Sequence, residues 1–421
     1  MKKILAIALT LALIFALAAC SGSDTPSSSG TQSGGETSSS GSSTSSSPAS
    51  TAPSAAPAPV PSDNPYAEVQ APDATGDIGY MTDDVDHYAR APYHIMYISS
   101  NVTPVNTLVA ECLEYLGGML NYTFSYTHAN GDQNNYINNV LPAVILSEPD
   151  GLIVDMVFEL QGRLIEVLGE SGIPYVSMFN SVTDENGYEL VPVCMMNQYV
   201  NGKKQLDLMN DLYSDYWGEI DTTKLGHIAL YFSLNADLTT RGQGAMDRWV
   251  ELYPDNPPSF HADSATYGNI LPETGYDLVS GIISTNPQIE YWFITSCVED
   301  MALGSARATE ALGRTDSTLI TGSGSSILPR EWGEGYNGNW IGNFAVSNFQ
   351  YAVPAACGVI AMIDGRATAE TLWEDLKRPG DSAAQFVVGT DCITRAGYAE
   401  TMRGIEEGFG IYRDIWDSWE Y

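Results

Sequence analysis

The chain has 421 residues and is strongly acidic, with 52 Asp and Glu residues against 18 Lys and Arg residues and a formal net charge of −34. This charge argues against nucleic acid as a partner and opposes adsorption to anionic lipid. The cysteines after Cys20 are scattered and lack CxxC spacing, so the sequence supports neither a zinc site nor a disulfide framework. The length is enough for two domains.

The first residues have the pattern of an export signal. Lys2 and Lys3 precede an apolar run at positions 4–17 that is too short to span a membrane. The quartet LAAC, which ends at Cys20, resembles the lipobox of bacterial lipoproteins. That resemblance implies that residues 1–20 form a lipoprotein signal peptide with its lipobox and that Cys20 is the lipid attachment site. An ordinary secretory peptide with an incidental cysteine is the alternative.

Residues 21–64 are predicted to be a disordered tether. Ser, Gly, Thr, Pro and Ala dominate this segment, so it has too few apolar side chains to offset the entropy lost on folding. As a random coil it would reach roughly 35 to 40 Å. We therefore expect a folded part that a lipid anchor holds at the extracytoplasmic face of the cell membrane.

The folded part begins with alternating strands and helices. A short apolar run predicts a strand at 93–100, and Thr103 followed by Pro104 predicts the start of a helix, with a hydroxyl cap and proline at the first helical position. The next predicted elements are a strand at 122–127, a helix at 134–146, a strand at 150–158, a helix at 159–171 and a strand at 173–179.

The same alternation starts again after a predicted helix at 205–217. The predicted elements are strands at 226–233, 260–263, 289–295 and 317–322, and helices at 241–252, 275–284 and 299–313. Repeated units of this kind build a parallel sheet with helices on both faces. The sequence therefore predicts an α/β fold of two doubly wound parallel-sheet lobes, with one long sheet as the alternative.

Candidate ligand-binding residues follow the predicted strands or open the helices after them. In open parallel sheets, ligands bind outside the carboxyl ends of the strands. Sugars need polar groups that exchange paired hydrogen bonds, and flat rings for their C–H faces. The selected residues are Asn101, Asp155, Phe179, Asn180, Arg241, Ser296, Ser323, Asn348 and Phe349. Ser99, Ser100, Asn235, Cys297 and Ser325 are at similar positions.

Each main candidate has a structural alternative. Asp155 could be a strand-end residue bonded to backbone, and Arg241 could form a surface ion pair. Phe179 and Phe349 could be core residues. Two further rings, Trp332 and Trp340, occur in the Gly-rich stretch EWGEGYNGNWIG. The five histidines show no ligand spacing, and we assign no metal site, catalytic residue or cofactor.

Several motifs together resemble one family. A lipobox and tether are followed, in order, by ILSEPDGLIVD, SGIPYVSMFN, TRGQGAMDRW and NPQIEYWFITSCVEDMALGSARATEALG. This order resembles the sugar-binding lipoproteins of bacterial ABC importers, a ribose-binding-like group of type I periplasmic binding proteins. The resemblance implies two lobes joined by a hinge of three crossing strands. The implied ranges are 88–196 plus 349–386 for the N-terminal lobe and 197–348 plus 387–421 for the C-terminal lobe.

The resemblance also implies a function. Such a protein, as a monomer, captures a small polar ligand, here a sugar, between its lobes and delivers it to ABC permease subunits. Arg241 in RGQG matches the family's site arginine. A sensory receptor of the same fold that signals to a membrane kinase or chemoreceptor is the first alternative. A surface hydrolase is the second, although the sequence lacks the G-x-S-x-G, H-E-x-x-H and P-loop motifs.

The chain departs from this family at two places in the second lobe. Cys297, Val298 and Glu299 precede MALG where the family commonly has Asn-Asp, and TGSGSS stands where a strand usually ends in a carboxylate. The second lobe is therefore expected to contact its ligand through hydroxyls and backbone, which weakens an ordinary pentose or hexose assignment.

Overall fold

A computed structural model describes residues 85–155, 160–254, 258–413 and 415. The predicted signal peptide at 1–20, the lipid attachment site at Cys20 and the tether at 21–64 lie outside the described residues. In the part of the chain that the structure describes, no helix has the length and apolar character needed to cross a membrane.

The described residues form two six-stranded sheets. The first contains β1 (Tyr93–Ser99), β2 (Tyr122–His128), β3 (Gly151–Asp155), β4 (Tyr175–Met178) and β5 (Val193–Met196). The second contains β6 (Leu225–Tyr231), β7 (Ser259–Asp263), β8 (Tyr291–Ser296), β9 (Thr318–Ser323) and β10 (Trp340–Ala345). The chain then adds β11 (Gln385–Val388) to the first sheet and β12 (Asp391–Thr394) to the second.

The two sheets have corresponding strand orders. The first runs β11-β5-β4-β3-β1-β2 and is parallel throughout, and the second runs β12-β10-β9-β8-β6-β7. In the second sheet β12 is antiparallel to β10, and the other pairs are parallel. Strands β3 and β8 therefore occupy equivalent positions in the two lobes.

Helices cover both faces of each sheet. In the first half they are α1 (Pro104–Leu120), α2 (Gln133–Asn135, π-helical Tyr136–Val140 and Leu141–Leu146), α3 (Gln161–Ser171) and α4 (Gln198–Trp217). They continue with α5 (Ala236–Leu252), α6 (Pro272–Thr285), α7 (Glu299–Ala311), α8 (Ile327–Gly333), α9 (Asn348–Ile363) and α10 (Tyr398–Gly408). One-turn 3₁₀ helices lie at His87–Ala89, Thr222–Lys224, Ser264–Tyr267, Thr315–Ser317 and Glu374–Leu376.

Local sequence explains the start of α1. Thr103 caps the helix by accepting a hydrogen bond from the Asn106 amide, and Pro104 occupies the first helical position. The helix ends at Asn121 in the left-handed conformation. These signals agree with the predicted helix start, and they fix the first residues of α1 at the carboxyl end of β1.

Each lobe has apolar cores on both faces of its sheet. In the first lobe, Ile95 and Tyr97 are buried with α1 and α9, whereas Ile98 and Leu152 are buried with α2 and α3. The second lobe has a core under α6 and α7 and another that Trp249 shares with α4. The chain thus folds as two doubly wound α/β lobes.

Three chain segments link the lobes in the described residues. They join β5 to α4, β10 to α9, and β11 to β12. The predicted boundary places the end of the N-terminal lobe at position 386. In the structure, β11 continues through Val388 in the first sheet, so this part of the first lobe ends two residues later. Phe409 and Ile411 also pack in the first lobe's core, although 387–421 was assigned to the second lobe. Apolar burial beyond α10 therefore brings the chain back to the first lobe.

Two glycines hold α4 and α5 in direct backbone contact. A Cβ on Gly202 would collide with the carbonyl oxygen of Arg241, and a Cβ on Gly244 would collide with that of Tyr199. Only glycine lets two helix backbones approach this closely. This contact fixes the start of α5 beside the segment that links β5 to α4.

Candidate functional site

The first lobe brings two predicted site residues together at the carboxyl edge of its sheet. Asp155 ends β3 and is 6% exposed. Its Oδ1 accepts a hydrogen bond from Asn180 Nδ2 at 2.9 Å, and its Oδ2 accepts from Ser100 Oγ at 2.7 Å and from the Ser100 amide at 3.2 Å. Three segments that follow different strands thus meet at one carboxylate.

Burial raises the pKa of Asp155, and the hydrogen bonds from Ser100, Asn106 and Asn180 oppose that shift. An ionised carboxylate has about four acceptor positions. The contacts to Ser100 and Asn180 occupy three of them, and the Asn106 side chain at the start of α1 also donates to Asp155. The alternative for Asp155, bonding to backbone, accounts for only one of these contacts.

Asn101 extends this edge after β1. Its carbonyl oxygen accepts from Ser99 Oγ at 2.7 Å and from Asn106 Nδ2 at 3.1 Å, and Asn101 itself is exposed. The backbone of Asn101 is therefore fixed by its neighbours. Its side chain lies at the surface of the same edge as Asp155.

Phe179 is held in an unusual conformation next to Asn180. Its φ is +72°, the left-handed region that a bulky residue adopts at a cost of roughly 1 to 3 kcal/mol. Its amide donates to the Cys194 carbonyl at 2.8 Å, and its ring packs edge-on against Tyr351 with 4.8 Å between centroids. The ring remains half-buried, so it both packs in the lobe and contributes to its edge.

Arg241 is buried where the second lobe meets the link from the first. Its Nε donates to Gln198 Oε1 at 3.0 Å, and its Nη2 lies 3.3 Å from Met196 Sδ at the end of β5. Its Nη1 donates to the Cys297 carbonyl. Arg241 therefore does not form the surface ion pair that was its alternative, because its three bonding partners are neutral and it is 6% exposed.

Tyr351 of α9, in the first lobe, is within electrostatic range of Arg241. Burial raises the pKa of Tyr351, and the positive charge of Arg241 opposes that shift, while burial lowers the pKa of Arg241. Phe179 contacts the same Tyr351 ring. Tyr351 thus connects the edge of the first lobe with the start of α5.

Asp237 was not selected from the sequence, although it precedes Arg241 by one helical turn. The residue is half-buried overall, but its Oδ2 is buried without a hydrogen-bond partner. Burial raises the pKa of Asp237 to about 7, and the charge of Arg241 opposes the shift. A sequence signal could have identified Asp237. An acid and an arginine stand four residues apart in the first turns of a helix that follows a strand.

Glu299 organises the loops of the second lobe. The carboxylate accepts from the Ser326, Ile327 and Leu328 amides at 3.0, 3.0 and 3.1 Å, and from Asn343 Nδ2 at 2.8 Å. It also accepts from Ser326 Oγ at 2.9 Å. Glu299 therefore caps the start of α8 and fixes the TGSGSS loop.

The serines predicted in the second lobe differ in their bonding. Ser296 Oγ donates to the Val298 carbonyl at 2.7 Å, and Ser325 Oγ donates to the Val346 carbonyl at 3.3 Å. Ser323, at the end of β9, is 6% exposed, and its Oγ is buried without a hydrogen-bond partner. Of these three hydroxyls, that of Ser323 is the one left for another partner.

The structure places Asn348 and Phe349 in a different environment. Phe349 is 1% exposed, packs edge-on against Tyr115 at 5.7 Å, and has the Arg413 guanidinium 4.9 Å from its ring centroid. Both residues line a cavity of about 290 Å³ between α1, α9 and α10. Phe349 is thus packed between helices, apart from the Asp155 cluster.

Other sequence candidates are structural. Trp332 and Trp340 are 3% and 1% exposed and belong to the second lobe's core, so neither ring is offered to a ligand. Trp340 Nε1 donates to Asn343 Oδ1 at 2.7 Å. Asn235 caps α5 through the Leu238 amide at 3.0 Å. In residues 85–155, 160–254 and 258–413, no group of three or more His, Cys, Asp or Glu side chains could hold a metal ion.

Comparison with known proteins relates this arrangement to a common architecture. No protein-family model and no curated protein sequence matches the chain. An arabinose-binding protein from Geobacillus stearothermophilus aligns with a TM-score of 0.57 and 15% identity, over 74% of this chain and 99% of that chain. A periplasmic ribose ABC transporter protein from Conexibacter woesei aligns with a TM-score of 0.56 and 14% identity, over 75% of this chain and 95% of that chain.

A third solved structure has the same arrangement. It is an ABC transporter solute-binding protein from Bacillus halodurans with bound myo-inositol, and it aligns with a TM-score of 0.54 and 14% identity, over 74% of this chain and 98% of that chain. The TM-scores establish a shared fold and, at 14 to 15% identity, nothing beyond it. The strand orders described above agree with that fold. The chain therefore has the two-lobe α/β fold of the type I periplasmic binding proteins.

Proposed function

We propose that this protein is an extracytoplasmic, lipid-anchored solute-binding protein. It captures a small polar ligand of the carbohydrate class between its two lobes and delivers the ligand to an ABC importer, without catalysing a reaction on it. The proposed ligand-binding residues are Asn101, Asp155, Phe179 and Asn180 of the first lobe, with Asp237, Arg241 and Ser323 of the second. The hydroxyl of Ser296, also predicted, is bonded to the Val298 carbonyl and is left out.

The observation that carries this proposal is the junction at Arg241. Arg241 extends from α5 of the second lobe to Met196 Sδ at the end of β5. The Asp155 cluster occupies the carboxyl edge of the same first sheet. In this class of sheet the carboxyl edge is where ligands bind. Arg241 of the second lobe and Asp155 of the first therefore both lie at the carboxyl edge of the first sheet. A ligand captured between the lobes needs polar groups from both of them.

The chemistry of the edge supports a carbohydrate ligand. Asp155 is a carboxylate that could exchange one of its hydrogen bonds for a ligand hydroxyl, and the half-buried Phe179 ring supplies an apolar surface for C–H groups. The Bacillus halodurans protein has myo-inositol bound, and another structural neighbour, from Agrobacterium radiobacter, is in complex with D-arabinose. A polyol or sugar is accordingly the first ligand class to test.

Lipid anchoring rests on the sequence alone. The apolar run at 4–17 and the LAAC quartet support export and acylation at Cys20. An exported Cys20→Ala chain should appear in the culture medium, whereas the unmodified sequence should fractionate with membranes. Membrane fractionation of the Cys20→Ala chain would contradict the anchor without affecting the ligand proposal.

A ligand screen tests the binding function directly. Thermal unfolding would be followed with sugars, polyols, nucleosides and small peptides, because a ligand that binds only the folded state raises the unfolding temperature. We expect stabilisation by a sugar or polyol, then a Kd by calorimetry and a smaller radius of gyration on binding. Stabilisation by none of the sugars or polyols would contradict the proposal.

A further inference from the structure

A buried carboxylate bonds to the segment that follows Phe179 and Asn180. Glu189 is 0% exposed. Its Oε1 accepts a hydrogen bond from the Val182 amide at 2.7 Å, and its Oε2 accepts from Gln385 Nε2 at 2.8 Å. Val182 follows Asn180 by two positions, and Gln385 is the first residue of β11. Glu189 therefore connects the turn after β4 with β11, the strand before the third link between the lobes.

Ser181, the residue after Asn180, is fixed by two side chains. Its carbonyl accepts from Gln161 Nε2 at 2.8 Å, and its Oγ accepts from Gln385 Nε2 at 3.1 Å. Gln385 thus bonds both Ser181 and the buried carboxylate. Phe179 keeps its left-handed conformation only while its surroundings hold it. The turn that presents Phe179 and Asn180 therefore depends on this network.

The segment before β11 brings an acid and a base next to Glu189. The Glu189 amide donates to Asp381 Oδ1 at 2.8 Å, and Arg378 pairs with Asp381 at 2.8 Å. On the hairpin that carries Glu189, Asp184 accepts hydrogen bonds within its own turn, and Glu185 is exposed. Burial raises the pKa of Glu189 to about 7, the charge of Asp381 adds to the shift, and the hydrogen bonds that the carboxylate accepts oppose it. Glu189 therefore changes charge near neutral pH.

An ionised Glu189 favours a state in which it meets water. Because the pKa of a solvated carboxylate is ordinary, the buried arrangement is favoured at low pH, and this preference is lost as the pH rises through about 7. The hairpin at 182–190 lies at the surface, where Glu185, Asn186 and Leu190 are exposed. Local opening of this hairpin is enough to admit water to the carboxylate. Between pH 6 and pH 8 the linkage changes the opening equilibrium by about tenfold.

We propose that Glu189 is a positioning residue that makes the Phe179–Asn180 turn sensitive to pH. The neutral acid keeps the turn closed, and the ionised acid lets it open. Opening separates Asn180 from Asp155, and their hydrogen bond at 2.9 Å belongs to the proposed ligand edge. The protein therefore binds its ligand more tightly below neutral pH than above it. This last step rests on the proposed function, whereas the opening of the turn does not.

Hydrogen exchange tests the turn in the intact folded protein without a ligand. Exchange of the backbone amides at 179–192 would be compared at pH 6 and pH 8, after correction for the intrinsic exchange rates. We expect about tenfold less protection at pH 8. Glu189→Gln is neutral at both pH values and should remove the difference, whereas Glu185→Gln, at an exposed acid of the same hairpin, should leave it unchanged. Equal protection of the unmodified turn at both pH values would overturn the inference, whatever the variants do.

Calorimetry then relates the turn to binding, with D-ribose, D-arabinose and myo-inositol as probes at pH 6 and pH 8. For a probe that binds, we expect a Kd about threefold to tenfold higher at pH 8 in the unmodified protein and a smaller change in Glu189→Gln. Asp155 and Asp237 are present in both proteins, so their titration cancels in the comparison. An equal change in both proteins would overturn the positioning role of Glu189. Binding of no probe would count against the proposed function, and the exchange result would then decide the inference alone.

Discussion

Asp155 and Glu299 are two buried carboxylates at equivalent places in the two lobes. Asp155 ends β3, Glu299 follows β8, and these strands hold the same position in their sheets. Asp155 accepts three hydrogen bonds from Ser100 and Asn180, whereas Glu299 accepts five and caps α8. Equivalent topology thus places one carboxylate among side chains at the edge of the first sheet and uses the other to cap a helix in the second lobe.

The largest expected effect is on stability at Glu299. Glu299→Ala removes the acceptor for three buried amides and for Asn343, and each unmet donor costs about 1 to 3 kcal/mol without full additivity. We expect a loss of about 2 to 4 kcal/mol in the free energy of unfolding, measured by urea denaturation. A loss below about 1 kcal/mol would show that α8 does not depend on this cap.

Asp155→Asn should reduce ligand affinity more than stability, the reverse of what we expect for Glu299→Ala. The change removes a charged acceptor from the proposed ligand site, so affinity for the sugar found by screening should fall about tenfold to a hundredfold. Glu299→Gln is the matched control, because its side chain is directed into its own lobe. Calorimetry that shows equal losses in both variants would contradict the division of roles between the two acids.

Arg241→Ala tests whether the junction of the lobes takes part in binding. The substitution removes donors to Gln198 and Cys297 and should weaken ligand binding about tenfold or more. Arg248→Ala on the same helix is the control, because Arg248 pairs with Asp207 at 2.6 Å near the surface and such pairs contribute about 0 to 1 kcal/mol. Unchanged affinity in Arg241→Ala, by calorimetry, would exclude this arginine from the site.

The smallest expected effect is a pH dependence from Asp237. The pKa of Asp237 is raised in the folded state to about 7, above its unfolded value, so its stabilising contribution is present at low pH and is lost as the pH rises through about 7. Asp237→Asn should therefore lose less stability than the unmodified protein between pH 5 and pH 8. Urea midpoints at the two pH values measure the difference. Parallel pH curves would show that Asp237 has an ordinary pKa.

The fold could be predicted because its signals are local. Most of the predicted strands are short apolar runs, some helices begin at a capping residue, and the crossover rule then leaves few arrangements. Thr103 and Pro104 at the start of α1 are an example. The return of Ile411 to the first lobe's core could not be predicted in this way, because it depends on burial between segments distant in sequence.

The candidate site was only partly predictable. Asp155 and Asn180 lie together because carboxyl ends of neighbouring parallel strands share an edge, which the sequence indicates. Residue type does not show where a ring points, and Phe349 lies between helices. Gln198 and Asp237 were not predicted because their roles depend on Arg241. Gln198 bonds Arg241 across 43 positions of sequence, and Asp237 lies under the influence of its charge.

The glycine contact between α4 and α5 has a mechanical consequence. Gly202 and Gly244 leave no side chain between the helix backbones, so the two helices have little room to slide or tilt against each other. We therefore expect Arg241 on α5 to move together with the segment that joins β5 to α4. In the capture mechanism proposed above, we therefore expect the Arg241 guanidinium to keep a nearly constant distance from the end of β5 when the lobes close, while the parts of the second lobe farthest from its links move the most.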